Sequence, residues 1–141
     1  MLMRTVMVFG TFDIVHLGHL HLFKEARMYG DHLIVVIATA ANAERVKGRT
    51  PVYTDEERRD FLSHIDLVDE VVIGSQSDVY AVISVYQPDV IVLGYDQETF
   101  VDRLADELQL RSPHTDIKRA SPFDTSRFKS QKFKEYIERH T

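Results

Sequence analysis

The chain predicts a doubly wound α/β sandwich, one parallel sheet of about five strands with helices on both faces. Two observations carry that expectation. Apolar runs rich in Val, Ile and Leu recur as "TVMVFG", "HLIVVIATA", "DEVVIG" and "DVIVLG". They lack the polar alternation of a half-exposed strand and so read as strands buried on both sides. Between them lie stretches with helical patterning, and that alternation, joined by right-handed crossovers, builds a parallel sheet.

The elements follow in order. Residues 5–10 form the first strand, ending at Gly10. "HLGHLHLFKEARMYG" is a helix closed by Gly30, and "HLIVVIATA" is the second strand. The segment from Ala40 to Pro51 is expected to be a mobile loop. "TDEERRDFLSHI" opens with Thr54 and Glu57, the spacing of a capping box. A third strand, "DEVVIG", precedes a helix over "SDVYAVISVYQ" with Ser77 or Asp78 as its cap. Pro88 punctuates the turn into "DVIVLG". A helix over "TFVDRLADELQL", a weaker strand around "TDIKRA" and a terminal helix "SRFKSQKFKEYIERH" complete a Rossmann-like arrangement. In such sheets ligands sit beyond the carboxyl ends of the strands, which places Gly10, Ala38, Gly74, Gly94 and Arg119 on one functional rim.

At 141 residues the chain is expected to be one domain, residues 1–141, large enough to bury its own core. It has 44% hydrophobic and 28% charged residues, the balance of a soluble globular protein. It lacks cysteine, which excludes disulfides and thiolate metal sites and fits a cytoplasmic location. No apolar run is long enough to span a membrane, and a formal charge of −5 argues against general nucleic-acid binding. The charge is uneven: from Ile117 onward seven Lys/Arg face three Asp/Glu, a net of +4 against −9 for the preceding residues. That is either a solvated terminal helix or a set of cations that meets a small anion. Lys47, Arg49, Arg58 and Arg59 pose the same question.

The chain carries no G-x-G-x-x-G after its first strand, no G-x-x-x-x-G-K-[ST] and no G-x-S-x-G elbow. What stands at the first strand-to-helix turn is "GTFDIVHLGH". His16 and His19, three residues apart at a helix start, can project together over the positive end of the helix dipole, where unpaired backbone N–H groups also point. Gly18 between them lets a flat base or a phosphate approach the backbone. His21 points to the other side and reads as packed or solvated. Structural histidines and a zinc site are the competing readings; the pair lacks the i,i+4 spacing of zinc proteases.

"GTFDIVHLGH" resembles the G-[TS]-F-D-x-x-H-x-G-H signature of the cytidylyltransferase-like nucleotidyltransferases, and "VKGRTPVYTDEERRDFLSHIDLVDEVVIG", "PDVIVLGYDQ" and "RASPFDTSRF" extend the likeness over nearly the whole chain. The last motif departs from the family: Ala120 stands where a threonine usually follows the arginine. The resemblance implies attack of a substrate phosphate on the α-phosphorus of a nucleoside triphosphate, with pyrophosphate leaving. It implies triphosphate-binding roles for His16 and His19, a phosphate-closing role for Lys47, phosphate contacts for Arg58 and Arg119, and nucleotide contacts from Gly10, Thr11, Phe12, Leu17, Gly18 and Asp96. Thr125 and Ser126 either contact phosphate or cap the last helix. Asp13 and Asp96 are the carboxylates placed to meet a divalent ion such as Mg²⁺ accompanying ATP, with a turn role for Asp13 standing equally.

"PDVIVLGYDQ" is similar to the matching segment of archaeal FAD synthases, so the expected substrates are ATP and FMN. A cytidylyl- or adenylyltransferase acting on glycerol 3-phosphate or a sugar phosphate, and a non-catalytic nucleotide-binding regulator, are the alternatives. A homodimer is expected from the resemblance and from how commonly proteins pair.

Overall fold

The computed structural model describes residues 3–98, 100–123 and 130–140, with side chains for 134–139 in the last segment. Five strands form one all-parallel sheet: β1 (Thr5–Gly10), β2 (His32–Ile37), β3 (Glu70–Ile73), β4 (Val90–Leu93) and β5 (Asp116–Arg119), in the order β3-β2-β1-β4-β5. The order reverses between β1 and β4. This is the switch point at which a doubly wound sheet opens a crevice at its carboxyl rim.

Strict side-chain alternation on the central strands builds two cores. Val6 and Val8 of β1, Leu33, Val35 and Ile37 of β2, and Val90 and Val92 of β4 face one side. There they meet Leu22, Phe23 and Ala26 of α1 (Leu17–Arg27) and Leu62 of α3 (Asp55–Ser63). Met7, Phe9, Ile34, Val36, Ile91 and Leu93 face the other side, against Val82 and Ile83 of α4 (Ala81–Tyr86) and Leu104 and Leu108 of α5 (Leu104–Arg111). The edge strand β5 is exposed along its length, which explains its weak apolar signal. A last helix, α6 (Ser130–His140), follows.

Several local expectations are corrected. Ala40 to Pro51 is not simply a loop: Ala40–Lys47 is a helix, α2. Thr39 caps it by accepting from Asn42 N–H at 3.1 Å, and Gly48 ends it in the left-handed region with φ 74°. The helix before Pro88 starts only at Ala81, and neither Ser77 nor Asp78 is its cap. Asp78 instead accepts from Tyr80 N–H at 3.1 Å in a turn just upstream and pairs with Arg111 at 2.9 Å. Gly30 does not close α1 through a left-handed residue; a Cβ there would lie 2.5 Å from the Arg4 carbonyl oxygen, so the position has no room for a side chain. The Thr54–Glu57 capping box forms as expected.

Candidate active site

A cleft of about 680 Å³ opens at the carboxyl rim, centred on the switch point. Of the sequence-nominated residues, Gly10, Thr11, Phe12, His19, Lys47 and Asp96 line it. Backbone bonds knit the rim: Ala38 N–H donates to Gly10 at 2.9 Å, and Gly74 N–H to Ile37 at 2.8 Å.

The turn after β1 is shaped by Phe12, whose φ of 50° is unusual for an aromatic residue. Its ring folds back over Gly10, where a Cβ would lie 2.8 Å from it. The ring then continues into the core against Phe23 and meets His19 edge-on at 5.3 Å. Gly10 is therefore required by the packing of Phe12, and the turn delivers the chain to α1 in a fixed pose.

His16 is the N-cap of α1 rather than part of its first turn, and the two histidines cap the helix together. His16 Nδ1 accepts from Gly18 N–H at 3.1 Å, while His19 Nδ1 accepts from His16 N–H at 3.2 Å. Two backbone N–H groups at this helix start, those of His16 and Gly18, are thus taken up by the rings. A neutral imidazole with Nδ1 accepting carries its proton on Nε2, so each ring presents a fixed Nε2–H donor. The rings pack at 4.0 Å. Burial pushes His19 down to about 3, helped by His16 and Lys47, and burial lowers His16 as well. Both are neutral donors near neutral pH. His19 lies on the cleft wall, and His16, off the lining, packs against its ring, whereas Leu17 points to solvent at 53% exposure and Gly18 serves the cap. His21 contacts Ser121 and Glu25, and its ring meets Phe123 at 5.0 Å, the packed role expected of it.

The nominated arginines bond to backbone carbonyls. The Arg58 guanidinium is fully buried, and its N–H groups donate to the carbonyls of Tyr53 (3.2 Å), Thr11 (3.0 Å) and Ala38 (2.7 Å) and to Asp55. It locks the ends of β1 and β2 to α3 and is absent from the cleft lining. Arg119 clasps the loop after β4, donating to Gly94 (2.8 Å), Tyr95 (3.3 Å) and Gln97 (3.1 Å). Arg59 pairs with Glu56 at the surface, and Arg49 is exposed. Thr125 and Ser126 lie outside the described residues.

Lys47 ends α2 and faces the cleft. Burial holds its ammonium below the ordinary value, and Lys134 and Arg58 push the same way, against Asp13 and Asp96. Asp13 is buried and accepts from Val52 N–H (2.7 Å) and Tyr53 N–H (2.9 Å), with Lys134 of α6 at 2.6 Å. Burial pulls its carboxyl upward, but these partners outweigh that and hold it below the ordinary value. Asp13 is therefore a structural node of the turn. Among the described residues no three His, Asp or Glu side chains gather to hold a metal ion. Asp96 and Glu98 are the acidic residues on the cleft lining.

Sequence reasoning missed the opposite wall. Phe100 stacks between Phe9 at 4.2 Å and Tyr80 at 4.9 Å, with interplanar angles of 31° and 24°. Tyr80 also donates its hydroxyl hydrogen to the Phe100 carbonyl at 2.9 Å. Val36 and Val79 extend this apolar surface. Polar groups rim it: Asn42 donates to the Ser75 carbonyl at 3.3 Å and accepts from Arg45 at 2.6 Å. Gln97 accepts from Gly94 N–H at 3.1 Å and donates to the Phe9 carbonyl at 3.3 Å, bridging β1 and β4 at the switch point.

The profile of the family described as cytidylyltransferase-like matches residues 7–136. The chain belongs to the cytidylyltransferase-like family. Among curated relatives of this cytidylyltransferase-like protein, an FAD synthase of Natrialba magadii is 38% identical over 88% of this chain and 82% of that protein. An FAD synthase of Methanothermobacter thermautotrophicus is 36% identical, with 86% and 82% covered. A crystal structure described as the lipopolysaccharide core biosynthesis protein from Thermoplasma volcanium GSS1 superposes with a TM-score of 0.80 at 35% identity, covering 86% of this chain and 99% of that one. No helix among the described residues is long and apolar enough to cross a membrane.

Proposed function

We propose that the protein is an FAD synthase, a nucleotidyltransferase that moves AMP from ATP to the phosphate of FMN and releases pyrophosphate. The observation that carries the choice of acceptor is the aromatic wall of Phe9, Tyr80 and Phe100, set across the cleft from the histidines. Phe9 and Tyr80 are themselves buried, so what a flat, largely apolar tricycle gains is contact with the half-buried Phe100 on the lining, a contact that glycerol 3-phosphate or a sugar phosphate cannot match. The curated relatives named FAD synthase support the same reading. The differently named Thermoplasma neighbour keeps a sugar-phosphate acceptor as the outcome to test against.

The reaction needs no side-chain nucleophile. A phosphate monoester, with a second pKa of about 6, is already an anionic nucleophile near neutral pH. An FMN phosphate oxygen forms the new bond to the α-phosphorus, the bond from that phosphorus to the bridging oxygen of the β-phosphate breaks, and pyrophosphate leaves with the electron pair. The protein has to align the two substrates and stabilise charge on the phosphoryl oxygens. His16 and His19 supply neutral donors through Nε2, fixed in direction by their Nδ1 cap bonds, so no reorganisation is needed as charge develops. Lys47 adds a cation from the end of α2, and Asp96 on the lining is assigned to a ribose hydroxyl or the hydrated ion. Arg58 and Arg119 act as positioning residues that hold the rim in shape.

The divalent ion belongs to the substrate. Asp13 is engaged by Val52, Tyr53 and Lys134 and would not hold an ion such as Mg²⁺; brought in with the triphosphate, such an ion would supply charge neutralisation, and Asp96 on the lining is the residue that would meet it. A homodimer, expected from the family resemblance and from how commonly proteins pair, and a cytoplasmic location, expected from the lack of cysteine, go with this reading.

The test is product formation. Purified protein is incubated with MgATP and FMN, and separately with MgCTP and glycerol 3-phosphate or sugar phosphates, with pyrophosphate release and chromatography as readouts. FAD formation dependent on ATP is expected. Turnover only with CTP and a polyol phosphate removes the flavin reading, and tight ATP binding without turnover on any acceptor marks a regulator.

A further inference from the structure

The proposed chemistry leaves one sequence feature without a role, the excess of positive charge after Ile117. Of those cations, Arg119 is spent on the loop after β4 and Lys118 lies on the exposed edge strand. Lys134 is different. It stands on α6, yet its Nζ reaches 2.6 Å from Asp13 Oδ2 in the turn between β1 and α1, with 18% of its side chain exposed and 2% of that of Asp13.

We propose that Lys134 is a triphosphate-binding residue, held by Asp13 in the turn between β1 and α1 until the substrate arrives. This rests on the reading of the cleft as a nucleoside triphosphate site. Three observations carry it. Asp13 also accepts Val52 and Tyr53 N–H, so the turn meets part of its acceptor capacity without Lys134. An ammonium has three donors, and one contact to Asp13 leaves two for another acceptor. Among the described residues the cleft lining itself offers a polyanion two cations, Arg45 and Lys47, because His16 and His19 are neutral and Arg58 is locked onto the carbonyls of Thr11, Ala38 and Tyr53 and onto Asp55. Lys47 and Lys134 feel each other's charge in a partly desolvated place, an arrangement that becomes favourable when an anion joins them.

Binding would therefore draw α6 towards the site, linking the end of the chain to nucleotide occupancy. The probe is inorganic tripolyphosphate, measured by calorimetry on the full chain with wild type, Lys134→Met and Lys134→Arg, alongside FMN binding, ATP KM and melting temperature. Loss of one charge-assisted bond predicts about a 10-fold weaker tripolyphosphate affinity and a similar rise in ATP KM for Lys134→Met. Lys134→Arg is expected to keep most of the affinity and the melting temperature; Lys134→Met, which leaves buried Asp13 without its cation, is expected to melt lower, and FMN binding is expected to stay near wild type in both. Unchanged tripolyphosphate affinity in Lys134→Met overturns the inference. So does a parallel loss of FMN binding and melting temperature that Lys134→Arg fails to rescue, because that pattern belongs to a purely structural tie. The flavin reading fails separately: tripolyphosphate bound through Lys134 without any FAD formed would sink that reading and leave this one standing.

Discussion

At one end of the cleft His16 and His19 stand three residues apart in the chain and hold each other through the cap of a single helix. At the other end Phe9 comes from β1, Tyr80 from the residue before α4 and Phe100 from the segment before α5, brought together only by the fold. The first end is polar, neutral and fixed in direction by backbone bonds. The second is apolar, and its central ring sits on a backbone with φ 79°, a conformation a bulky residue occupies at a cost. The contrast suggests a division of labour: the local end performs the chemistry on phosphate, and the assembled end selects what carries the acceptor phosphate. If so, damage to the two ends separates in kinetics.

The largest effect is expected at the histidines. His19→Ala removes a donor whose direction the fold has set, and the loss of one such donor costs roughly 10²-fold or more in kcat. His16→Ala does the same and also removes the cap acceptor of Gly18 N–H, so it costs some helix stability in addition. FMN binding, measured by quenching of flavin fluorescence, is expected to be unchanged in both. Near-wild-type kcat in both variants would show that the donors are ornamental and that the rings exist to cap the helix.

The aromatic end gives the reciprocal result at smaller scale. Phe100→Gly removes the central ring and relieves its left-handed backbone in one step, so the loss of binding reports the ring alone. Stacking plus lost burial predicts a rise of about 10-fold in KM for FMN with ATP KM and kcat largely retained. If Phe100→Gly instead lowers kcat as the histidine variants do, the two ends act as one unit and the division fails. If it tightens FMN binding, Phe100 occupies the slot that the flavin takes.

The same contrast explains what could be read from the sequence. The strands, their parallel order and the rim position of Gly10, Ala38, Gly74 and Gly94 follow from apolar runs that are short and local. The histidine pair is legible because its bonds span two or three residues. Helix α2 carried its own signals, Thr39 and Gly48 at its ends, but its polar sequence hid them. The buried contacts of Arg58 are not legible, because nothing local shows that Thr11, Ala38 and Tyr53 offer it carbonyls. The aromatic wall and the pair of Asp13 with Lys134 depend on residues tens of positions apart, and only tertiary placement reveals them.

The smallest effect tests why the histidine end stays neutral. His19 sits at about 3 in the folded protein against an ordinary 6.5, with burial as the chief cause. Its folded value is depressed, so as pH falls below 6.5 the unfolded chain takes up a proton that the folded chain refuses. Stability is then fully present above 6.5 and is lost progressively towards 3. Urea unfolding of the wild type between pH 7 and 5, above the main carboxylate range, is expected to show ΔG falling with pH, and His19→Gln is expected to flatten that slope. Activity behaves differently: a donor that is neutral throughout this range gives kcat no inflection near 6.5 from His19. A clear inflection that His19→Gln abolishes would mean that the ring works as an imidazolium, and the phosphate end would then owe its grip to charge rather than to the preset direction of its two Nε2–H bonds.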